Sequence, residues 1–146
     1  IALIIGDINL ATSEKLIQIS LELKRKNLLN KIIYKPHPSN ASKSKNNDYE
    51  VYFKELKYFK KDINYVFCAN STTSAAKIYQ YFKKIFVYIP KNKINLSPLF
   101  NFDNKIFYSD LNKITNLIRN NSKKTLKQNI IYYKNLKSKV FINRQN

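Results

Sequence analysis

An α/β fold of the Rossmann-like kind, a parallel sheet flanked by helices, is what this sequence predicts, and three observations predict it. Short apolar runs of strand length recur at residues 1–5, 31–34, 63–69, 86–89 and 105–108. Amphipathic stretches of helical period stand between several of them. The connections are long enough for the right-handed crossovers that join parallel neighbours. With 146 residues the chain is the size of one domain able to bury its own core, so a single domain over residues 1–146 is expected.

The first run ends at Gly6-Asp7, and Thr12-Ser13-Glu14 then offers a helix start ahead of Leu16, Ile17, Ile19, Leu21 and Leu23. The second is stopped by Pro36 and Pro38, after which residues 39–47 are a polar loop. Val51, Phe53, Leu56 and Phe59 recur at helical spacing and predict a helix over 49–60, although its start also suits a strand. The third run leads into a helix over 74–83, with Ala75, Ile78, Tyr79 and Phe82 facing inward. Pro90 ends the fourth, and a loop containing Pro98 leads to the fifth. Residues 110–146 carry C-terminal helices, expected near 110–120 and 122–138. The chain opens on Ile1, directly in a strand pattern, and reads as the C-terminal piece of a longer protein whose first domain precedes it.

Apolar residues make up 44% of the chain and aromatics 14%, which excludes a disordered polycation. No apolar run approaches the roughly 20 residues of a membrane span. The net charge of +18 suits a polyanionic partner. Yet lysine far outnumbers arginine and is scattered among Asn, Ile and Tyr, the mixture that AT-rich codons produce, so a solvated lysine surface is preferred to a nucleic-acid face. Anionic lipid headgroups or a charged glycan would answer the same charge. Cys68 stands alone within Tyr65-Val66-Phe67-Cys68-Ala69 and reads as a small buried side chain, so neither a disulfide framework nor a metal site is expected.

In open parallel sheets ligands bind beyond the carboxyl ends of the strands, and every candidate functional residue follows such an end. Gly6 follows the first strand, Lys35-Pro36-His37-Pro38 the second and Asn70-Ser71-Thr72-Thr73-Ser74 the third. A loop histidine is usually a polar surface residue, and prolines after a strand are ordinary stop signals. Here two prolines hold the only histidine of the chain beside Lys35, which suits a donor presented to a phosphate with little entropy to lose. Histidine changes charge nearest neutral pH, so the imidazole suits a hydrogen-bond donor or a general acid toward a departing phosphate. One hydroxyl suffices to cap a helix. Four in succession, with Asn70 before and Ala75-Ala76 after, exceed that need and leave room for an anion at a helix N-terminus. Because Gly6 is the only glycine, a Walker loop and a dinucleotide fingerprint are excluded.

Tyr34-Lys35-Pro36-His37-Pro38 followed by Phe67-Cys68-Ala69-Asn70-Ser71-Thr72-Thr73-Ser74-Ala75-Ala76 resembles the C-terminal domain of bacterial surface-carbohydrate and capsule biosynthesis glycosyltransferases of the GT-B architecture. A similar pairing of an HP motif with a Ser/Thr motif is found in bacterial sialyltransferases and capsule Kdo transferases, where both contact the CMP portion of a CMP-sugar donor. The resemblance spans residues 1–90 and is strongest in the two motifs. It implies a Rossmann-like nucleotide-sugar-binding domain forming one half of a GT-B enzyme. His37 would hold the donor phosphate and act in catalysis. Ser71, Thr72 and Thr73 would complete the phosphate or cytidine pocket, with Gly6, Lys35, Asn70 and Ser74 around them. The acceptor would be a glycan or a lipid-linked sugar, and no cofactor is implied.

The chain departs from that pattern at Lys77 and Tyr81-Phe82-Lys83-Lys84, where similar proteins carry an acidic residue or a glycine. The general base of such enzymes is an Asp or Glu of the N-terminal domain. Asp7 is the only nearby carboxylate here, and a donor-domain loop is a poor place for a base, so this chain alone is expected to be inactive. A cytoplasmic protein is implied, held at the inner face of the membrane where its basic surface meets lipid. The alternative is a non-catalytic basic Rossmann-like module that binds nucleic acid or an anionic surface through its lysines, with Tyr and Phe as stacking platforms.

Overall fold

The apolar runs line up side by side because each is hydrophobic on both faces, as parallel strands covered from two sides must be. The computed structural model describes residues 1–40, 47–53, 55–58, 62–75, 78, 82, 84–101 and 106–120. Within them β1 (Ala2–Ile5), β2 (Ile32–Lys35), β3 (Glu50–Val51), β4 (Tyr65–Ala69), β5 (Ile85–Tyr88) and β6 (Phe107–Tyr108) form one sheet in the order β3-β2-β1-β4-β5-β6. All neighbours run parallel, with Ala2 opposite both Ile32 and Tyr65. The Rossmann-like α/β fold is therefore the observed one.

Alternate residues of each strand feed two separate cores. On one face Ile4, Ile32, Phe67, Phe86 and Tyr108 meet Leu16, Ile19 and Leu23 of α1 (Leu10–Arg25) and Ile114 and Ile118 of α2 (Leu111–Asn120). On the other, Leu3, Ile33, Val66, Ile85 and Val87 meet Ala75, Ile78, Phe82 and Leu99. Phe67 and Phe86 stack with centroids 5.7 Å apart, and Tyr108 meets Phe67 edge-on at 6.3 Å.

The helix after β1 begins earlier than the Thr12-Ser13-Glu14 signal suggests. Asn9 is its N-cap, accepting from the Thr12 N–H at 3.3 Å, which releases Ser13 into the buried side of the first turn. At the other end Asn27 takes a left-handed φ of 56°, and its N–H and that of Leu28 return to the carbonyls of Lys24 and Leu23. This satisfies the helix's free acceptors, with Lys24 and Arg25 set against the negative end of the dipole.

The helix expected over 49–60 is replaced by β3 and a 3-10 turn at Leu56–Tyr58. Tyr49 packs edge-on against Tyr34 at 5.8 Å, and the Tyr52 N–H donates to the Tyr34 carbonyl at 2.8 Å. These contacts draw the segment out as a sheet edge, and Phe53, inward in a helical reading, is exposed. Over 74–83, Ala75 and Ile78 are helical, and the Ile78 N–H donates to the Ser74 carbonyl at 2.9 Å. Ala75, Ile78 and Phe82 are buried as their spacing requires, whereas Tyr79 lies outside the described residues. The expected helix over 122–138 also lies outside them. No helix among the described residues is long and apolar enough to cross a membrane.

Asp110 starts α2. Its Oδ1 accepts from the Lys113 N–H at 2.9 Å and its Oδ2 from the Ser109 hydroxyl at 3.0 Å, and these bonds hold its carboxyl below the usual range. Because the folded state favours the ionised form, the cap is at full strength above the ordinary value of 3.8 and is lost as pH falls below it. Asp110→Ala should lower stability by about 1 kcal/mol at neutral pH. In paired urea titrations the gap between variant and wild type should close as the pH falls through the acidic range.

Candidate functional site

The strand order reverses between β1 and β4. From β1 the chain crosses one face to β2, and from β4 it crosses the other face to β5, so the two exits diverge and leave a crevice at the carboxyl edge. A cleft of about 400 Å³ occupies that place. Gly6, Asp7 and Ile8 line it from β1, residues 35–38 from β2, residues 71–74 from β4, and Leu56 closes one side. Both sequence motifs thus open onto one space.

Gly6 is what lets the β1 and β2 exits meet. Its N–H donates to the Lys35 carbonyl at 2.8 Å, and a Cβ at this position would stand 2.8 Å from the His37 backbone nitrogen and 2.9 Å from the Tyr34 hydroxyl. No real Cβ tolerates a backbone atom so close, so the requirement for glycine here is one of space.

Asp7 is 5% exposed and fully engaged. Its Oδ1 accepts from the Asn9 N–H at 2.8 Å, its Oδ2 accepts from the Ser71 hydroxyl, and its own N–H donates to Ser13 Oγ at 2.8 Å. Asn40 donates through Nδ2 to the carbonyls of Asp7 and Ile8 at 3.1 and 2.8 Å, so the turn after β2 is fastened to the turn after β1. Through these bonds the carboxylate works as a clamp between the β1 and β4 exits. Ser71 spends its proton on that clamp, which leaves it an acceptor toward a ligand.

His37 is half-buried in the cleft wall, and its Nδ1 accepts from the Ser39 N–H at 3.2 Å. That bond sets the neutral tautomer with the proton on Nε2, so the ring keeps a donor for a ligand. Thr72 is 8% exposed, and its hydroxyl has no hydrogen-bond partner among the described residues. A buried hydroxyl left unpaired is unfavourable, and the cleft it lines is where a partner would sit. Thr73 and Ser74 line the same wall, and Lys35 brings the positive charge nearest the imidazole in sequence.

Asn70 is the exception among the expected site residues. Its Nδ2 donates to the Ile94 carbonyl at 2.9 Å, so it holds the loop after β5 and does not line the cleft. Thr72 lines the cleft with the other expected residues, and Asp7, weighed only as a poor candidate base, is where the sequence reading falls short. A polar residue immediately after an apolar strand was the available sign for Asp7, but the pattern alone does not tell a clamp from a base.

Cys68 lies under the site, fully buried, and burial followed by the nearby Asp7 charge pushes its thiol up to about 12. It is therefore an inert core residue. Among the described residues no three His, Cys, Asp or Glu come together as metal ligands. Comparison of the chain with protein-family models, with curated proteins and with solved structures found no match.

Gly6→Ala tests how the cleft is built. The added methyl should push the Lys35–His37 backbone away and lower stability by about 1–3 kcal/mol, as overpacking does. Denaturant titration, with far-ultraviolet circular dichroism to check the fold, gives the value. An unchanged midpoint would mean that the two exits do not touch in solution.

Proposed function

We propose that this chain is the donor-binding domain of a GT-B-type glycosyltransferase of bacterial surface-polysaccharide synthesis, and that its cleft takes the phosphate of a nucleotide-sugar, a CMP-sugar by its resemblance. One observation carries the reading: Lys35-Pro36-His37-Pro38 and Ser71-Thr72-Thr73-Ser74, distant in sequence, line a single cleft at the reversal of strand order. That is where open parallel sheets bind nucleotides.

In this reading the His37 Nε2–H and the Thr72 hydroxyl donate to phosphate oxygens, and Lys35 supplies charge. These groups neutralise the negative charge that grows on the leaving phosphate as the glycosidic bond breaks in an inverting transfer. A held imidazole needs little reorganisation for that task. Asp7 in this reading holds the β1 and β4 exits together, its oxygens accepting from Asn9 and Ser71. By the resemblance, the base that takes the acceptor's proton would belong to a partner domain, with which the glycan or lipid-linked acceptor would also bind.

Calorimetric titration with CMP, UDP and a single-stranded oligonucleotide separates this from the reading as a basic module. Wild type should bind CMP in preference to UDP. His37→Ala should weaken CMP by about tenfold to a hundredfold, the weight of a hydrogen bond to a charged group. Thr72→Val, which removes a hydroxyl unpaired among the described residues, should weaken CMP without lowering stability. Oligonucleotide binding that survives His37→Ala and falls steeply with salt, with no selective CMP binding, would assign the chain to polyanion binding instead.

A further inference from the structure

Because all six strands run the same way, every segment that follows a strand leaves from one edge of the sheet. The large hydrophobic side chains left exposed among the described residues fall in three of the connecting segments. Ile8 and Leu10 follow β1, and Phe53 and Tyr58 follow β3. The strongest group follows β5, where Ile94, Leu96 and Phe100 are 80%, 71% and 60% exposed. Single exposed apolar side chains need no explanation, but three within residues 94–100 do.

The loop that carries this group is built, with its apolar residues sorted. Asn92 turns the chain at a φ of 63°, and the Lys93 N–H returns to the Pro90 carbonyl at 3.2 Å. Asn70 holds the Ile94 carbonyl at 2.9 Å, and Asn95 Oδ1 accepts from the Ser97 N–H at 3.0 Å. Ser97 in turn accepts through Oγ from the Leu99 N–H at 3.2 Å and through its carbonyl from the Phe100 N–H at 3.0 Å. Ser97 and Leu99 are buried, so alternate residues anchor the loop while Ile94, Leu96 and Phe100 project. Lys91 and Lys93 are exposed beside them, and residues 89–101 contain no Asp or Glu. Lys91 also feels the Asp110 carboxylate, which leaves Lys93 the less compensated of the two.

We propose that this β5–β6 loop docks the protein on an anionic lipid surface, with Ile94, Leu96 and Phe100 entering the headgroup layer and Lys91 and Lys93 meeting the lipid charge. The pairing of these lysines with bulky exposed apolar side chains favours a bilayer over a protein partner. Lysine is depleted in protein interfaces, whereas lysines flanking bulky apolar residues are what an anionic membrane surface attracts. The chain's net charge of +18 adds long-range attraction of the same sign. Through Asn70 the docked loop adjoins Ser71, so the mouth of the cleft would lie close to the membrane surface. The inference stands independently of which ligand the cleft takes.

Co-sedimentation of the full chain with phosphatidylcholine vesicles, with and without phosphatidylglycerol, tests it. Wild type should partition onto the anionic vesicles and much less onto the neutral ones. The triple variant Ile94→Ser, Leu96→Ser, Phe100→Ser should lose about tenfold or more in partitioning. It should keep its circular dichroism and its denaturation midpoint, since all three side chains are exposed. Lys91→Gln with Lys93→Gln should shallow the salt dependence. A fluorophore on Leu96→Cys should move to shorter emission wavelengths on anionic vesicles, and Cys68 is too buried to compete for the label. The proposal is overturned if wild type stays in the supernatant, or if the triple variant partitions like wild type, which would leave the scattered lysines responsible. It is equally overturned if the triple variant abolishes self-association and leaves vesicle binding unchanged, because the loop would then be a protein contact.

Discussion

A methyl group on residue 6 would meet the His37 backbone nitrogen at 2.8 Å, and the cleft end of this molecule depends on that constraint. β1 and β2 are parallel neighbours, so their exits leave the sheet side by side and compete for the same space. Gly6 resolves the competition by letting the Lys35 carbonyl and the His37 nitrogen approach its backbone. His37 is then carried into the wall of the cleft, with its Nδ1 tied to Ser39. The sole glycine and the sole histidine of the chain are thus parts of one construction.

Charge is distributed inside the cleft less simply than a net of +18 suggests. Asp7 is buried among the turns that form the floor, and its negative charge reaches far enough to raise Cys68. Its hydrogen bonds to Asn9 and Ser71 offset the cost of burying it and fasten the β1 exit to the β4 exit. In the proposed reading an anion in the cleft would be met by His37, Lys35 and Thr72, which line it together with Asp7. On this account Ser71 shapes the site by holding Asp7, while Thr72 offers the hydroxyl that still lacks a partner among the described residues.

The sheet was legible because its strands are apolar on both faces, a pattern that no amphipathic surface strand imitates; hence β1, β2, β4, β5 and β6 fall on the runs that marked them. β3 was harder to read. Val51, Phe53 and Leu56 satisfy a helical spacing, and only the pairing of Ile33 with Glu50 and of Tyr34 with Val51 makes the segment a strand, a fact that resides in β2 and not in the segment. The convergence of the two motifs could be foreseen from strand ends alone. Which side of a strand end a side chain leaves by could not, so Asn70 was grouped with its neighbours although it turns to Ile94.

Because His37 is the only histidine, a ¹⁵N-histidine-labelled sample reports a single imidazole, and its two nitrogens can be followed without assignment. The most direct test of the central claim is to record them while CMP is added at neutral pH. A phosphate held by this ring should shift the Nε2 resonance in proportion to CMP bound, with the Nδ1 signal kept close to its starting position by the Ser39 N–H. If CMP saturates the protein and neither nitrogen moves, or if CMP does not bind, the cleft between His37 and Thr72 is not the phosphate site.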